Sequence, residues 1–132
     1  EETRLGQWTD DVLDRLQLRG VADRPVHALP FARRKQVELA RALVSRPSML
    51  LLDEPAAGLN HEEVDALRET ILQIRDHWKV AVLLVEHHMN LVMRTSDQVV
   101  ALNFGCKIAD GEPASVAANP EVIRAYLGGA GA

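Results

Sequence analysis

The sequence predicts an α/β fold, and three observations lead to it. Two short continuous apolar runs, RPSMLLL (46–52) and VAVLLVE (80–86), are patterned like strands covered on both faces. A long stretch of helical period, HEEVDALRETILQIRDHW, separates them. Both runs end in ionisable residues, Asp53–Glu54 and Glu86–His87, where open α/β sheets hold ligands beyond the carboxyl ends of their strands. Buried strands alternating with amphipathic helices make parallel βαβ units.

Taken in order, residues 7–18 place Trp8, Val12, Leu13 and Leu16 at helical spacing, with Gly20 closing the pattern. Residues 21–32, with two prolines, read as a connector. A helix follows from Arg33, in which Val37, Ala40, Leu43 and Val44 share a face. After the first strand comes the loop DEPAAGLN and then the long helix. There Val64, Leu67, Ile71, Ile74 and Trp78 form one stripe, and Asn60 with Glu63 has the spacing of a capping box. Beyond the second strand, HHMNLVMRTS (87–96) reads as a short helix. DQVVALNFGCKIADGEP reads as a hairpin turning at NFG, with a second turn at ADG. Helices around PASVAAN and PEVIRAYL finish the chain, and GGAGA reads as a frayed tail.

With 132 residues, 47% of them hydrophobic and 26% charged, the chain has the composition of an ordinary globular unit able to bury a core. The net charge of −4 gives no general attraction to nucleic acid or anionic membrane. One cysteine, Cys106, permits no internal disulfide and is compatible with a reducing, cytosolic compartment. No apolar run approaches the ~20 residues that span a bilayer, and the charged start EETRLGQWTDD is no signal peptide. The chain begins without Met, as a piece of a longer protein would.

Adjacent carboxylates at a strand end cost free energy unless something uses them. Asp53 and Glu54 face opposite ways, so they suit different tasks: one holds a hydrated Mg²⁺ while the other orients a water for phosphoryl transfer. The plain alternative is a carboxylate that caps a turn in solvent. His87 reads either as part of the same site or as an exposed loop histidine. No HExxH spacing accompanies His87 and His88. The cluster Arg33–Lys35 reads first as a solvated helix start and only weakly as a nucleic-acid patch.

MLLLDEPAAGLN resembles the Walker B strand and D-loop of ABC-type ATPases. LPFARRKQVELARALVSRP resembles their signature motif and its helix, and VAVLLVEHHMNLVM their switch-histidine strand and loop. Order and spacing agree for all three. PAAGLN, the proline of LPF and the ending VIRAYLGG are similar to the ATP-binding subunits of branched-chain amino acid importers. The resemblance covers roughly Val12 to Gly129 and implies a partial P-loop NTPase fold: a mainly parallel sheet with flanking helices and a C-terminal hairpin.

What the resemblance implies for residues is specific. Asp53 would support Mg²⁺ through water, Glu54 would be the general base, and His87 would contact the γ-phosphate and the attacking water. Leu29, Pro30, Phe31, Ala32 and Arg33 would face ATP held by a partner subunit, and Gly58, Leu59 and Asn60 would form the D-loop at that interface. The family pattern is Leu-Ser-Gly-Gly-Gln, or Leu-Pro-aromatic-Gly-Gln in this branch. Here Ala32 and Arg33 replace the last two residues. The Ala32 methyl would obstruct backbone approach to phosphate or force a positive φ, and Arg33 would compensate in charge but not in geometry. No glycine in the chain is followed by lysine, so no GxxxxGK[ST] phosphate loop is present and the Walker A half is lacking.

The implied organisation is a remnant of the helical signature subdomain (1–45), half of a catalytic core (46–112), and C-terminal helices with a tail (113–132). The implied cofactors are ATP and Mg²⁺. The implied partners are a second ATPase subunit and membrane-embedded permease subunits, with no nucleic acid. Localisation would be cytoplasmic and peripheral, at the inner face of the cell membrane through the permease. The function would be ATP hydrolysis powering transport of branched-chain amino acids or similar small solutes. A non-catalytic docking or dimerisation module is the alternative, and a DNA-repair ATPase fits less well because nothing heptad-like precedes the signature. The chain alone is expected to be inactive, to leave a one-strand gap between 80–86 and 97–102, and to self-associate.

Overall fold

The computed structural model describes residues 2–128, and the chain divides into two compact units, Glu1–Val85 and Glu86–Ala132. The first unit runs α1 (Glu2–Arg15), α2 (Phe31–Val44), β1 (Met49–Asp53), α3 (His61–Asp76) and β2 (Ala81–Val85). The second runs α4 (Met89–Thr95), β3 (Val99–Asn103), β4 (Cys106–Gly111), α5 (Pro113–Ala117) and α6 (Pro120–Val122), followed by a π-type turn, Ile123–Leu127. Beyond Gly128 the tail expected to fray lies outside the described residues.

The helices of the first unit follow their apolar stripes. Val12 and Leu16 of α1, Leu39, Ala40 and Leu43 of α2, and Val64, Leu67, Ile71 and Ile74 of α3 are buried. Val37 and Val44, expected on the buried face of α2, are half-buried instead. Helix α1 ends earlier than Gly20: Gln17 takes φ +55° and the Leu18 N–H donates to the Leu13 carbonyl at 2.8 Å, a left-handed helix stop. Helix α3 starts as its sequence predicts. The Asn60 side chain accepts from the Glu63 N–H and the Glu63 carboxylate accepts from the Asn60 N–H, both at 2.9 Å.

Strands β1 and β2 pair in parallel, Met49 with Ala81 through Asp53 with Val85, as a βαβ unit requires. Their coverage differs from expectation. Leu50 and Leu52 are buried on one face, but on the other Leu51 is 68% and Leu83 56% exposed, with Met49 and Val85 beside them. A continuous apolar run says that both faces can be covered, and here only one is. Among the described residues β2 pairs with β1 alone and β3 with β4 alone, in two two-stranded sheets.

The β3–β4 hairpin turns where NFG predicts. Phe104 and Gly105 take φ +46° and +77°, the pair of positive φ values of a type I′ turn. The second turn expected at ADG is absent, because those residues belong to β4, where Gly111 pairs with Val99. A bulge at Ile108 shifts the register between Ala101 and Leu102. Val99, Ala101, Val116 and Val122 form the core of this unit, with Met89, Val92 and Met93 packed against it.

A polar clasp ties α1 to the ends of α2 and α3. The Trp8 indole N–H donates to the Leu43 carbonyl at 3.0 Å, the Trp78 indole N–H donates to Asp11 at 2.8 Å, and the two rings lie 6.1 Å apart. Burial works to raise the Asp11 carboxyl, but hydrogen bonds from Trp78 and Arg15 outweigh it and hold the group below its ordinary value. A carboxylate whose folded pKa is depressed stabilises the fold above its unfolded pKa, and that contribution is lost as pH falls through the folded value. The clasp should therefore hold at neutral pH and loosen below about pH 4. Tryptophan fluorescence followed from pH 6 to pH 2.5 should change in the wild type and lose its lowest-pH component in Asp11→Asn. Superimposable titrations would contradict the clasp.

Candidate functional site

Residues Asp53 to Asn60 leave the carboxyl end of the parallel pair as one continuous loop. Asp53 is the last residue of β1, exposed, in register with Val85 and on the uncovered face that also carries Leu51. Glu54 turns out of the strand with φ +45°, while its N–H still donates to the Val85 carbonyl at 2.8 Å. The loop then closes on itself through Ala57 N–H to Glu54 O and Leu59 N–H to Ala56 O, each 3.1 Å, with Ala56 buried as its plug. Gly58 takes φ +79°, and Asn60 caps α3.

The conformation of Glu54 stands out. Among the described residues, five non-glycine residues have positive φ: Gln17, Glu54, Arg46, Lys79 and Phe104. Gln17, Arg46 and Lys79 follow helix ends, where left-handed residues terminate helices, and Phe104 is a hairpin tip. Glu54 is neither. A side chain bearing Cβ loses about 1–2 kcal/mol there, and such strain concentrates at functional sites.

The stretch Leu29–Arg33 forms the entry to α2. Leu29 is buried, Pro30 is the N-cap, and no side chain caps the first turn, whose free N–H groups and helix dipole favour an anion. Ala32 sits inside α2 and is not among the positive-φ residues, so of the two effects expected of its methyl, backbone strain does not occur. The Arg33 guanidinium donates to the Gln17 carbonyl at 2.9 Å and to the Gln36 side chain at 3.0 Å. Arg34 and Lys35 flank the Phe31 ring, 5.7 and 5.2 Å from its centre.

The structure brings the helix entry and the loop together in one place. A Cβ on Gly58 would lie 3.0 Å from Phe31 Cε1 and 3.4 Å from Cζ, so the ring rests on the glycine backbone. Sequence reasoning missed this contact; the lone glycine in PAAGLN was its only local sign.

His87 belongs to the second unit. The Glu86 carboxylate accepts from the His87 and His88 N–H groups at 3.1 and 3.2 Å, which shapes the turn into α4. His88 Nδ1 accepts from the Leu91 N–H at 3.4 Å as the α4 N-cap, so its role is local and His87 is left exposed beside it. Among the described residues no three His, Cys, Asp or Glu side chains gather as metal ligands. Asp53 fits a hydrated Mg²⁺ that needs one carboxylate and completes its octahedron with waters and phosphate oxygens, not an all-protein cage. Neither Asp53 nor Glu54 lines the cavity of about 530 Å³ around Phe104, Ile108 and Arg124 in the second unit or the one of about 370 Å³ around Trp8 and Arg46 in the first.

A family model described as ABC transporter matches residues 1–57, and one described as branched-chain amino acid ATP-binding cassette transporter matches residues 106–132. The high-affinity branched-chain amino acid transport ATP-binding protein BraF of Pseudomonas aeruginosa is 45% identical over 116 residues, 88% of this chain and 46% of that protein. LivG of Escherichia coli, named for the same transport, is 44% identical over 125 residues, 95% of this chain and 48% of that protein. Among solved structures, cbiO1 of Clostridium perfringens, part of the ABC transporter complex cbiONQ, superimposes with a TM-score of 0.84 at 31% identity, covering 94% of this chain and 49% of that one. The chain spans about half the length of the curated relatives it matches.

Proposed function

The chain belongs to the ABC transporter ATP-binding family with a partial ABC ATPase fold, and from that premise we propose that it carries the hydrolytic carboxylates of a subunit powering uptake of branched-chain amino acids or similar small solutes. The observation that carries the catalytic part is the strained Glu54, held one residue beyond Asp53 at the end of a parallel strand. In this reading the Glu54 carboxylate accepts a proton from the water that attacks the γ-phosphorus of ATP. Asp53 would hold Mg²⁺ through a water, and a metal bound there would supply positive charge beside the phosphate oxygens. His87 hydrogen-bonds the γ-phosphate and orients the same water. The uncapped start of α2, Leu29–Arg33, faces ATP bound by a second ATPase subunit, and Gly58, Leu59 and Asn60 lie at that subunit interface. The phosphate-cradling lysine loop has no counterpart in this sequence and would come from elsewhere in the parent protein.

No helix of the described residues is long and apolar enough to cross a membrane. We place the subunit at the cytoplasmic face of the cell membrane, held there by permease subunits. The test is reconstitution of the parent subunit with its permease in proteoliposomes. ATP-dependent uptake of labelled leucine that stops with Asp53→Asn is the expected result. Hydrolysis without leucine uptake would sink the solute assignment, and absence of hydrolysis would sink the whole reading.

A non-catalytic docking or dimerisation module is the second reading, favoured by Ala32 and Arg33 where the family has glycine and glutamine. It makes Ala32 the informative position. Because Ala32 is regular helix, Ala32→Gly should weaken α2 by about 1 kcal/mol or less. It should nevertheless raise ATPase activity or ATP-driven dimerisation of the parent several-fold, if the methyl obstructs phosphate. Steady-state ATPase equal to or below wild type would show that this site works with alanine.

A further inference from the structure

We propose that Phe31 is a positioning residue: its ring, resting on Gly58, sets the loop that begins at Glu54. This inference rests on the ATPase reading above and deepens it. Phe31 opens α2 and is 47% exposed, so it is not there to fill a core. Its ring meets a glycine whose Cβ position it occupies to within 3.0 Å, at a residue already committed to φ +79°. Any other residue at 58 would meet both constraints at once. Lys35 and Arg34, one and just under one helical turn further along α2, also hold the ring by cation–π attraction.

The contact reaches Glu54 in two short steps. Gly58 is bonded to Ala57, and the Ala57 N–H donates to the Glu54 carbonyl at 3.1 Å. The ends of the loop are fixed, Glu54 by its N–H on Val85 and Asn60 by its capping box, and the ring sits between them on Gly58. A helix start that moves would carry the ring, the glycine and the Glu54 backbone with it. The α2 entry is also the part that the proposed function turns toward the partner's ATP. The ring therefore couples arrival of that nucleotide to the aim of the general base.

The test uses the full-length subunit in its transporter complex and two readouts. Phe31→Ala should lower kcat by about 10-fold or more while KM for ATP stays within about twofold, the mark of a misaimed group and not of lost binding. Phe31→Tyr, which keeps the ring, should recover most of the kcat that Phe31→Ala loses. Amide exchange at Ala57 and Leu59 should rise about 10-fold in Phe31→Ala in the absence of nucleotide. In a Gly58→Ala background, Phe31→Ala should recover part of the lost activity, since it removes the ring contact but not the φ strain. A raised KM with kcat retained would overturn the proposal by leaving Phe31 its nucleotide-facing role alone. Unchanged exchange at Ala57 and Leu59 would overturn it whatever the kinetics. A wild-type complex that hydrolyses no ATP defeats the functional reading first, and the exchange measurement then still decides whether the ring holds the loop.

Discussion

Glu54→Gln in the full-length subunit is expected to keep ATP binding and to lower the hydrolysis rate by ~10²-fold or more, the scale of losing a general base. Gln has nearly the shape of Glu but cannot accept a proton from water, so the substitution isolates the chemistry. It also keeps the strained backbone, because the N–H bond to Val85 and the turn through Ala57 depend on main-chain atoms. Stability should therefore move little, within about 0.5 kcal/mol, as for other surface changes. Asp53→Asn serves as the companion: it should lose activity together with a weakened Mg²⁺ dependence, whereas Glu54→Gln should leave the Mg²⁺ dependence of binding intact. Glu69→Gln, on an exposed part of α3, should change neither. Steady-state ATPase of Glu54→Gln equal to wild type would remove Glu54 from the role of base. It would also leave its left-handed conformation without a functional account.

Much of this architecture was readable from local pattern. The α3 stripe and its Asn60–Glu63 cap, the parallel pairing around it and the Phe104–Gly105 turn follow from spacing and turn chemistry, which act within a few residues. The exposed face of β1 and β2 was not readable, because an apolar run reports that a strand can be covered, not what covers it. ADG was misread for a related reason. Gly and Asp favour turns, but Gln98 from across the hairpin and Lys107 along β4 both hydrogen-bond Asp110, and Val99 pairs Gly111, so these partners outweigh local preference. Those same hydrogen bonds, from Gln98 first and Lys107 second, hold the Asp110 carboxyl below its ordinary value. The site divides in the same way. Asp53, Glu54 and His87 were visible as residues at strand ends, and their order with the α2 entry carried the family resemblance. The ring of Phe31 on Gly58 was invisible, since it joins segments on either side of a whole helix and strand.

The uncovered sheet face leads to the other large effect, which concerns the 132-residue chain on its own. Met49, Leu51, Ala81, Leu83 and Val85 line one face in register, and β2 offers an edge with no strand partner among the described residues. Exposed apolar faces and open edges are both covered in stable proteins, and two copies related by a twofold axis can either pair their β2 edges antiparallel or stack their apolar faces. Purified alone, the chain should therefore run as a dimer or larger species in light scattering at micromolar concentration. The double substitution Leu51→Lys with Leu83→Glu places opposite charges on neighbouring positions of the parallel pair and makes the face wettable. It should shift the chain to monomer without loss of helix signal. The same chain should bind Mg·ATP no better than millimolar, about −4 kcal/mol, and hydrolyse none. It offers the Asp53 carboxylate and one helix start to the phosphates, carries a net charge of −4 that repels them, and has no glycine–lysine loop to cradle them. A wild-type chain that is monomeric across that concentration range defeats the first half. Micromolar ATP affinity in a calorimetric titration defeats the second, and would show that the Asp53–Asn60 loop and the α2 entry bind nucleotide without the rest of the domain.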